Sequence, residues 1–171
     1  MGDATLWVAV LTAVTAIAAS WVTSRGNAKA ARVQALAAAE AQHAATRRDA
    51  MRTAHLAFIE QINRMGALYR KTPAILSIDD PSDWSAALDR HLEELRTAYG
   101  EFHQQQNVIM LDGGHSSRLA ADAVHAASTH VYKTLLGIAA GTQGPEDFAS
   151  AVRAYWDTVT AFLHAARQDD E

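Results

Sequence analysis

From His55 onward the apolar positions of this chain recur three and four residues apart, the spacing that gathers side chains on one face of an α-helix. Phe58, Ile59, Ile62, Met65 and Tyr69 form a first stripe, and Trp84, Leu88, Leu92, Leu95, Tyr99 and Phe102 a second. Leu119, Ala123, Val124, Val131, Leu135 and Ile138 form a third, and Phe148, Val152, Tyr155, Val159, Phe162 and Ala166 a fourth. No segment alternates with the period of a strand. The breaks between stripes carry helix-ending and helix-starting chemistry. Thr72-Pro73 ends the first helix, because proline brings no N–H and its predecessor resists the α region. Asp80 is placed to cap the second, with Pro81 at its first position and Asp83 in its first turn. Val108 to Leu111 either extends that helix or forms a short extended piece, and Asp112-Gly113-Gly114 then breaks the chain. Ser116 is the expected cap of the third helix and Gly141 its end, while Gly144-Pro145 opens the fourth with Glu146 and Asp147 in the first turn. The pattern predicts helices over about 55–71, 81–111, 116–140 and 145–167, packed as an antiparallel four-helix bundle, and an acidic tail, 168–171, that frays.

The amino-terminal pattern is of another kind. Ala4 to Thr23, ATLWVAVLTAVTAIAASWVT, is a run of twenty residues without an ionisable group, between Asp3 and Arg25. At helical rise it measures roughly 30 Å, the thickness of a bilayer hydrocarbon core. Trp7 and Trp21, fourteen residues apart, are separated by about 21 Å along such a helix, which suits the two interfacial belts. Arg25, Lys29 and Arg32 follow the run and nothing basic precedes it, so the positive-inside rule puts the amino terminus outside and the remainder in the cytoplasm. Two alternatives compete. Ala16-Ile17-Ala18 fits a signal-peptide cleavage pattern, although the n-region has no Lys or Arg, and the run can also be a buried helix of a soluble fold. Myristoylation at Gly2 lacks the Ser or Thr it needs, since Leu6 stands in that place.

Between the two regions, residues 25–54 are alanine-dominated, with Val33 and Leu36 the only larger aliphatics before Met51. Alanine favours helix but buries little area, so an exposed stalk or a loosely self-associating seam is expected here. The expected organisation is therefore a tail and transmembrane helix over 1–24, a juxtamembrane stalk helix over 25–54 and the bundle over 55–167.

Composition refines this picture. Of the 171 residues 49% are hydrophobic and 20% charged, too apolar for a disordered chain. The net charge of -4 conceals a division: residues 24–55 carry six basic and two acidic groups, residues 56–171 nine basic and sixteen acidic. A general nucleic-acid-binding role has no electrostatic footprint, and the three basic residues after the span suffice as topology determinants next to membrane lipid. With no cysteine, disulfides, thiol nucleophiles and Cys-based metal sites are excluded.

Eight histidines invite a metal reading, but bundle metal sites need two Glu-x-x-His pairs facing inward. Glu40 to His43 has that spacing in the stalk, and Asp122 to His125 is a shorter analogue, so no metal or cofactor is expected. Glu60, Glu94 and Asp157 are further carboxylates that nothing turns inward, and His91, Glu94 and His115 lack the geometry that acid–base catalysis requires. No P-loop, dinucleotide fingerprint, Gly-x-Ser-x-Gly or His-Glu-x-x-His motif occurs, and the chain is not expected to be an enzyme. The turn before the third helix is the best loop candidate: Ser116, Ser117 and Arg118 at a helix amino terminus offer an anion site, though a C-cap followed by an N-cap explains the same residues. Trp156, off the main stripe, is the candidate exposed contact.

The passage WVTSRGNAKAARVQALAAAEAQHAATRRDAMRTAHLAFIEQINRMGALY, with Ala57-Phe58-Ile59 near its end, resembles a compositional pattern in small single-pass membrane proteins of actinobacteria. The resemblance covers about the first seventy residues. It implies a membrane anchor and a helical cytoplasmic region, and brings no activity with it. The reading at this level is a non-enzymatic anchored bundle that scaffolds protein partners or pairs with itself through the stalk; a ligand-sensing bundle is the alternative, and a metal-binding or enzymatic one the third.

Overall fold

The computed structural model describes residues 2–170. Among them every regular element is a helix: α1 Gly2–Leu76, α2 Pro81–Asp112, α3 His115–Ala139 and α4 Pro145–Asp170. Two compact units divide the chain, residues 1–46 and residues 47–171.

In the first unit the large apolar side chains lie in the open: Trp7, Val8, Val10, Leu11, Val14, Ile17, Trp21 and Val22 are all exposed. At 100° per residue they sweep one half of the helix circumference. Thr12, Ala13, Ala16, Ser20 and Thr23 fall on the other half. Among the described residues no helix is long and apolar enough to cross a membrane. Six positions of the expected span, 4, 5, 6, 9, 18 and 19, carry side chains outside that description. The threonine hydroxyls turn back on their own helix, Thr12 Oγ1 donating to the Val8 carbonyl at 2.8 Å and Thr15 Oγ1 to that of Leu11. Residues 29–46 are exposed throughout, Val33 and Leu36 included.

The second unit is the bundle. Cross-contacts show each consecutive pair of helices running antiparallel. Phe58 of α1 stacks on Phe102 of α2 while, further along α1 and earlier in α2, Thr72 meets His91. On the other side of α1, Phe58 meets Phe162 of α4 edge-on, and Tyr69 meets Tyr155. Tyr99 and Gln106 of α2 reach His125 and Asp122 of α3, and Asp169 at the end of α4 reaches Ser117 at the start of α3. The centre is a stack of large rings, with Phe58, Tyr69, Phe102, Tyr155 and Phe162 nearly inaccessible to water, joined by Ile62, Met65, Leu95, Ile109, Val124, Val131 and Leu135.

Local chemistry accounts for most helix ends, and for three departures from the sequence pattern. Asp80 caps α2 as expected, its carboxylate accepting from the N–H groups of Ser82 and Asp83 at 2.9 and 3.0 Å. These bonds hold the carboxyl below the usual Asp range. α1, however, runs one turn past Pro73 to Leu76, where the Pro73 carbonyl accepts from Ser77 N–H and Oγ. Proline in a last turn costs only the donor for the Tyr69 carbonyl, because the residues beyond it still make their own bonds. The second departure is in α3. Leu119 and Ala123, expected inward, are exposed, and Ser117, Ala121, Ser128 and Thr134 are buried instead. Small side chains on that face leave room for Tyr69, whose hydroxyl shares a hydrogen bond with Ser128 Oγ at 2.8 Å. Third, Val108 to Leu111 stays helical, with Ile109 inside and Leu111 outside.

Candidate functional site

The sequence-level candidates separate into three places. At the amino-terminal helix, Trp7, Trp21, Arg25, Lys29 and Arg32 are all exposed. The Arg25 guanidinium lies over the Trp21 indole, 3.7 Å from the ring centroid. That cation–π contact joins the last aromatic residue of the apolar stretch to the first basic residue beyond it.

At the α2–α3 turn, Ser116 is not the cap. The helix begins at His115 with Gly114 in the cap position and no side-chain bond from it. The missing acceptor comes from α4: the Asp169 carboxylate takes the Ser117 N–H at 3.0 Å. Ser117 is buried, and its hydroxyl donates to the Gly114 carbonyl at 3.2 Å. Gly114 is required here, since a Cβ at that position would collide with the Asp169 carboxylate. The anion at this helix amino terminus is thus the chain's own side chain. Arg118 lies apart, lining a small polar hollow of about 240 Å³ with Arg47, Asp112 and Gly113. The segment expected to fray is helical to Asp170 and ties two helices together.

Trp156 is half-buried rather than free. Its indole packs edge-on to Tyr155 and lies over Gly66 of α1, so near that a Cβ on residue 66 would be 2.5 Å from Trp156 Cζ2. The lone glycine of this stretch of α1 is therefore a seat for an indole. Beside it opens an apolar groove of about 520 Å³, between the end of α1 and the start of α4. Tyr69, Arg70, Pro73 and Leu76 line one side, and Phe148, Ala149, Val152 and Trp156 the other. Sequence periodicity could not reveal it, because Pro73 and Ala149 belong to no stripe.

Inside the bundle, polar groups cross between helices. Tyr155 Oη donates to the Ile62 carbonyl at 3.1 Å. Burial pushes both the Tyr69 and the Tyr155 hydroxyls well above the usual tyrosine range. His91 is 2% exposed, with Nε2 2.9 Å from Thr72 Oγ1 and Nδ1 facing no partner. Burial pushes His91 below the usual histidine range; Glu94 opposes this and Lys71 adds to it. Between α2 and α3, Tyr99 Oη lies 2.6 Å from His125 Nε2 and 2.8 Å from Thr129 Oγ1, and His103 Nδ1 is 3.2 Å from the same His125 nitrogen. Partial burial, then the His103 neighbour, lowers His125. Asp122, one turn before His125, is bonded to Gln106 Nε2 instead, at 3.3 Å. Among the described residues no three His, Cys, Asp or Glu side chains are arranged to hold a metal.

Fold and site together define an all-α bundle with an aromatic core, cross-helix polar pairs and an apolar groove at its surface. Comparison with protein-family models, curated proteins and solved structures finds no match.

Proposed function

We propose that this protein is a membrane-anchored helical bundle that works by protein–protein interaction or scaffolding at the cytoplasmic face. The observation that carries the reading is the exposure of Trp7, Leu11, Val14, Ile17 and Val22, each more than 60% accessible, on a helix without a charged side chain between Asp3 and Arg25. An apolar surface of that extent needs a non-aqueous neighbour. A helix lying flat on a membrane would set a charged face against its apolar one. Here the opposite half carries Ala, Thr and Ser, which suits immersion or a helix–helix contact in lipid. Arg25, stacked on Trp21, and Lys29 and Arg32 after it support an amino terminus outside and a bundle inside. The exposed stalk, with Val33 and Leu36 in the open, supports self-association as the simplest partner arrangement.

The stack of buried rings through the centre supports interaction over sensing by an enclosed ligand. Membrane fractionation with alkaline extraction, followed by protease accessibility of a carboxyl-terminal tag, tests the reading. The chain is expected in the extracted membrane pellet with its tag protected. Recovery in the soluble fraction would overturn the anchor, and a tag cleaved from outside would overturn the cytoplasmic placement.

A further inference from the structure

We propose that the groove between the end of α1 and the start of α4 binds a medium-chain amphipathic carboxylate, its apolar chain between the two helices and its carboxylate on Arg70. The site does not depend on the membrane anchor. Its volume of about 520 Å³ lies in the range of small-molecule sites, which are mostly apolar with a few polar groups that fix orientation. Along α4 it extends from Pro145 to Trp156, about 16 Å at helical rise. Tyr69 and Phe148, both buried, belong to its floor, and Pro73, Leu76, Ala149, Val152 and Trp156 bring carbon surface to its walls.

Charge selects the head group. Arg70 is the one charged residue of the lining, it is exposed, and among the described residues no carboxylate pairs with it. The acidic side chains at the start of α4 are engaged at the helix end: Asp147 accepts from the Gly144 N–H at 2.9 Å, and Glu146 lies against Gly144. A cationic amphiphile would meet Arg70 with nothing to offset the repulsion, and a neutral one would leave the guanidinium unused. The walls are also held in place beforehand, Tyr69 by its bond to Ser128 and Trp156 by its seat on Gly66. Little ordering is then left for the ligand to impose.

The test is a titration of the full chain in lipid nanodiscs with decanoate, decanol and decyltrimethylammonium, read by fluorine NMR of 5-fluorotryptophan. The four tryptophans, 7, 21, 84 and 156, give separate reporters, and Trp156→Phe assigns the one at the groove. Decanoate is expected to shift the Trp156 signal saturably while Trp84 stays still; Trp7 and Trp21 report amphiphile entering the lipid. Arg70→Gln is expected to weaken decanoate roughly three- to tenfold, to the level of decanol, as the loss of one exposed charged contact. Ala149→Phe, at an exposed position, fills the groove and is expected to abolish the shift without loss of helix. A Trp156 signal that follows only Trp7 and Trp21 without saturating overturns the site. Equal binding of decanol or of the cation, or decanoate binding unchanged in both variants, overturns the carboxylate assignment.

Discussion

Acidification should loosen the bundle through His91. The ring is enclosed between α1 and α2, with Nε2 on Thr72 Oγ1 and Nδ1 without an acceptor. Adding a proton puts a charge and an unsatisfied N–H into the core, so the folded protein takes up that proton at a lower pH than the unfolded chain, which titrates near 6.5. The unfolded state then binds more protons than the native state between the two values, so stability rises with pH across that window. The contribution is complete above about pH 7 and is lost as pH drops through about 6.5 toward the folded value, with a limiting slope of about 1.4 kcal/mol per pH unit for one group. His125 contributes with the same sign and a shallower slope, because it is only partly buried. Urea unfolding of the full chain in mild detergent, followed by tryptophan emission at pH 7.5, 6.5 and 5.5, measures the effect. Between the first and last of these the wild type should lose stability through this group, by no more than about 1.4 kcal/mol, and His91→Leu should be flatter. A variant whose pH dependence matches the wild type would show that His91 is readily protonated in place and refute the reasoning.

Three further outcomes follow from packing. Gly66→Ala should displace the Trp156 indole and cost about 1 kcal/mol, an overpacking penalty of 1–3 kcal/mol partly offset by better helix propensity; a shifted Trp156 emission, relieved by adding Trp156→Leu, checks it. Asp169→Ala should destabilise by about 0.5–2 kcal/mol through loss of the α3 cap, Asp169→Asn by less, and Gly114→Ala should cost less in the Asp169→Ala background than alone, as read from a double-mutant cycle in urea. Phe58→Ala, removing the ring that touches Phe102 and Phe162, should cost about 3–5 kcal/mol in the same assay; a loss under 1 kcal/mol would mean the ring stack is not the core.

How far the sequence carried the fold differs by helix. α4 is the more legible because Phe148, Tyr155, Val159 and Phe162 of its stripe are buried. α3 is legible in part: Val124, Val131, Leu135 and Ile138 are buried as their stripe predicts, but Ser117, Ala121, Ser128 and Thr134 complete the inner face and the leucines at 119 and 136 face water. Periodicity weighs size, and on α3 the space is filled by rings from the other helices. Of the candidate sites, the amino-terminal apolar run stands out as an uncharged stretch, but the same run fits a membrane span, a cleaved signal or a buried helix, so its exposure is not written in the sequence. The anion place at Ser116 to Arg118 was readable as a helix terminus, but its occupant, Asp169, is 52 residues from Ser117 in the chain. No local signal joins them. The groove was hidden for the same reason, being made of the residues left over when two stripes pair.

The cross-helix polar pairs determine what kind of motion the bundle can carry. Apolar ring contacts are interchangeable under a small slide, whereas the cross-helix bonds of Tyr155 with the Ile62 carbonyl, Tyr69 with Ser128 and Thr72 with His91 are each made at one height. Sliding α1 by a single turn, about 5.4 Å, would break all three at once and strand buried donors at about 1–3 kcal/mol apiece. A piston stroke of α1 against its neighbours is therefore closed to this molecule. Within the bundle, α1 and its neighbours hold a single register.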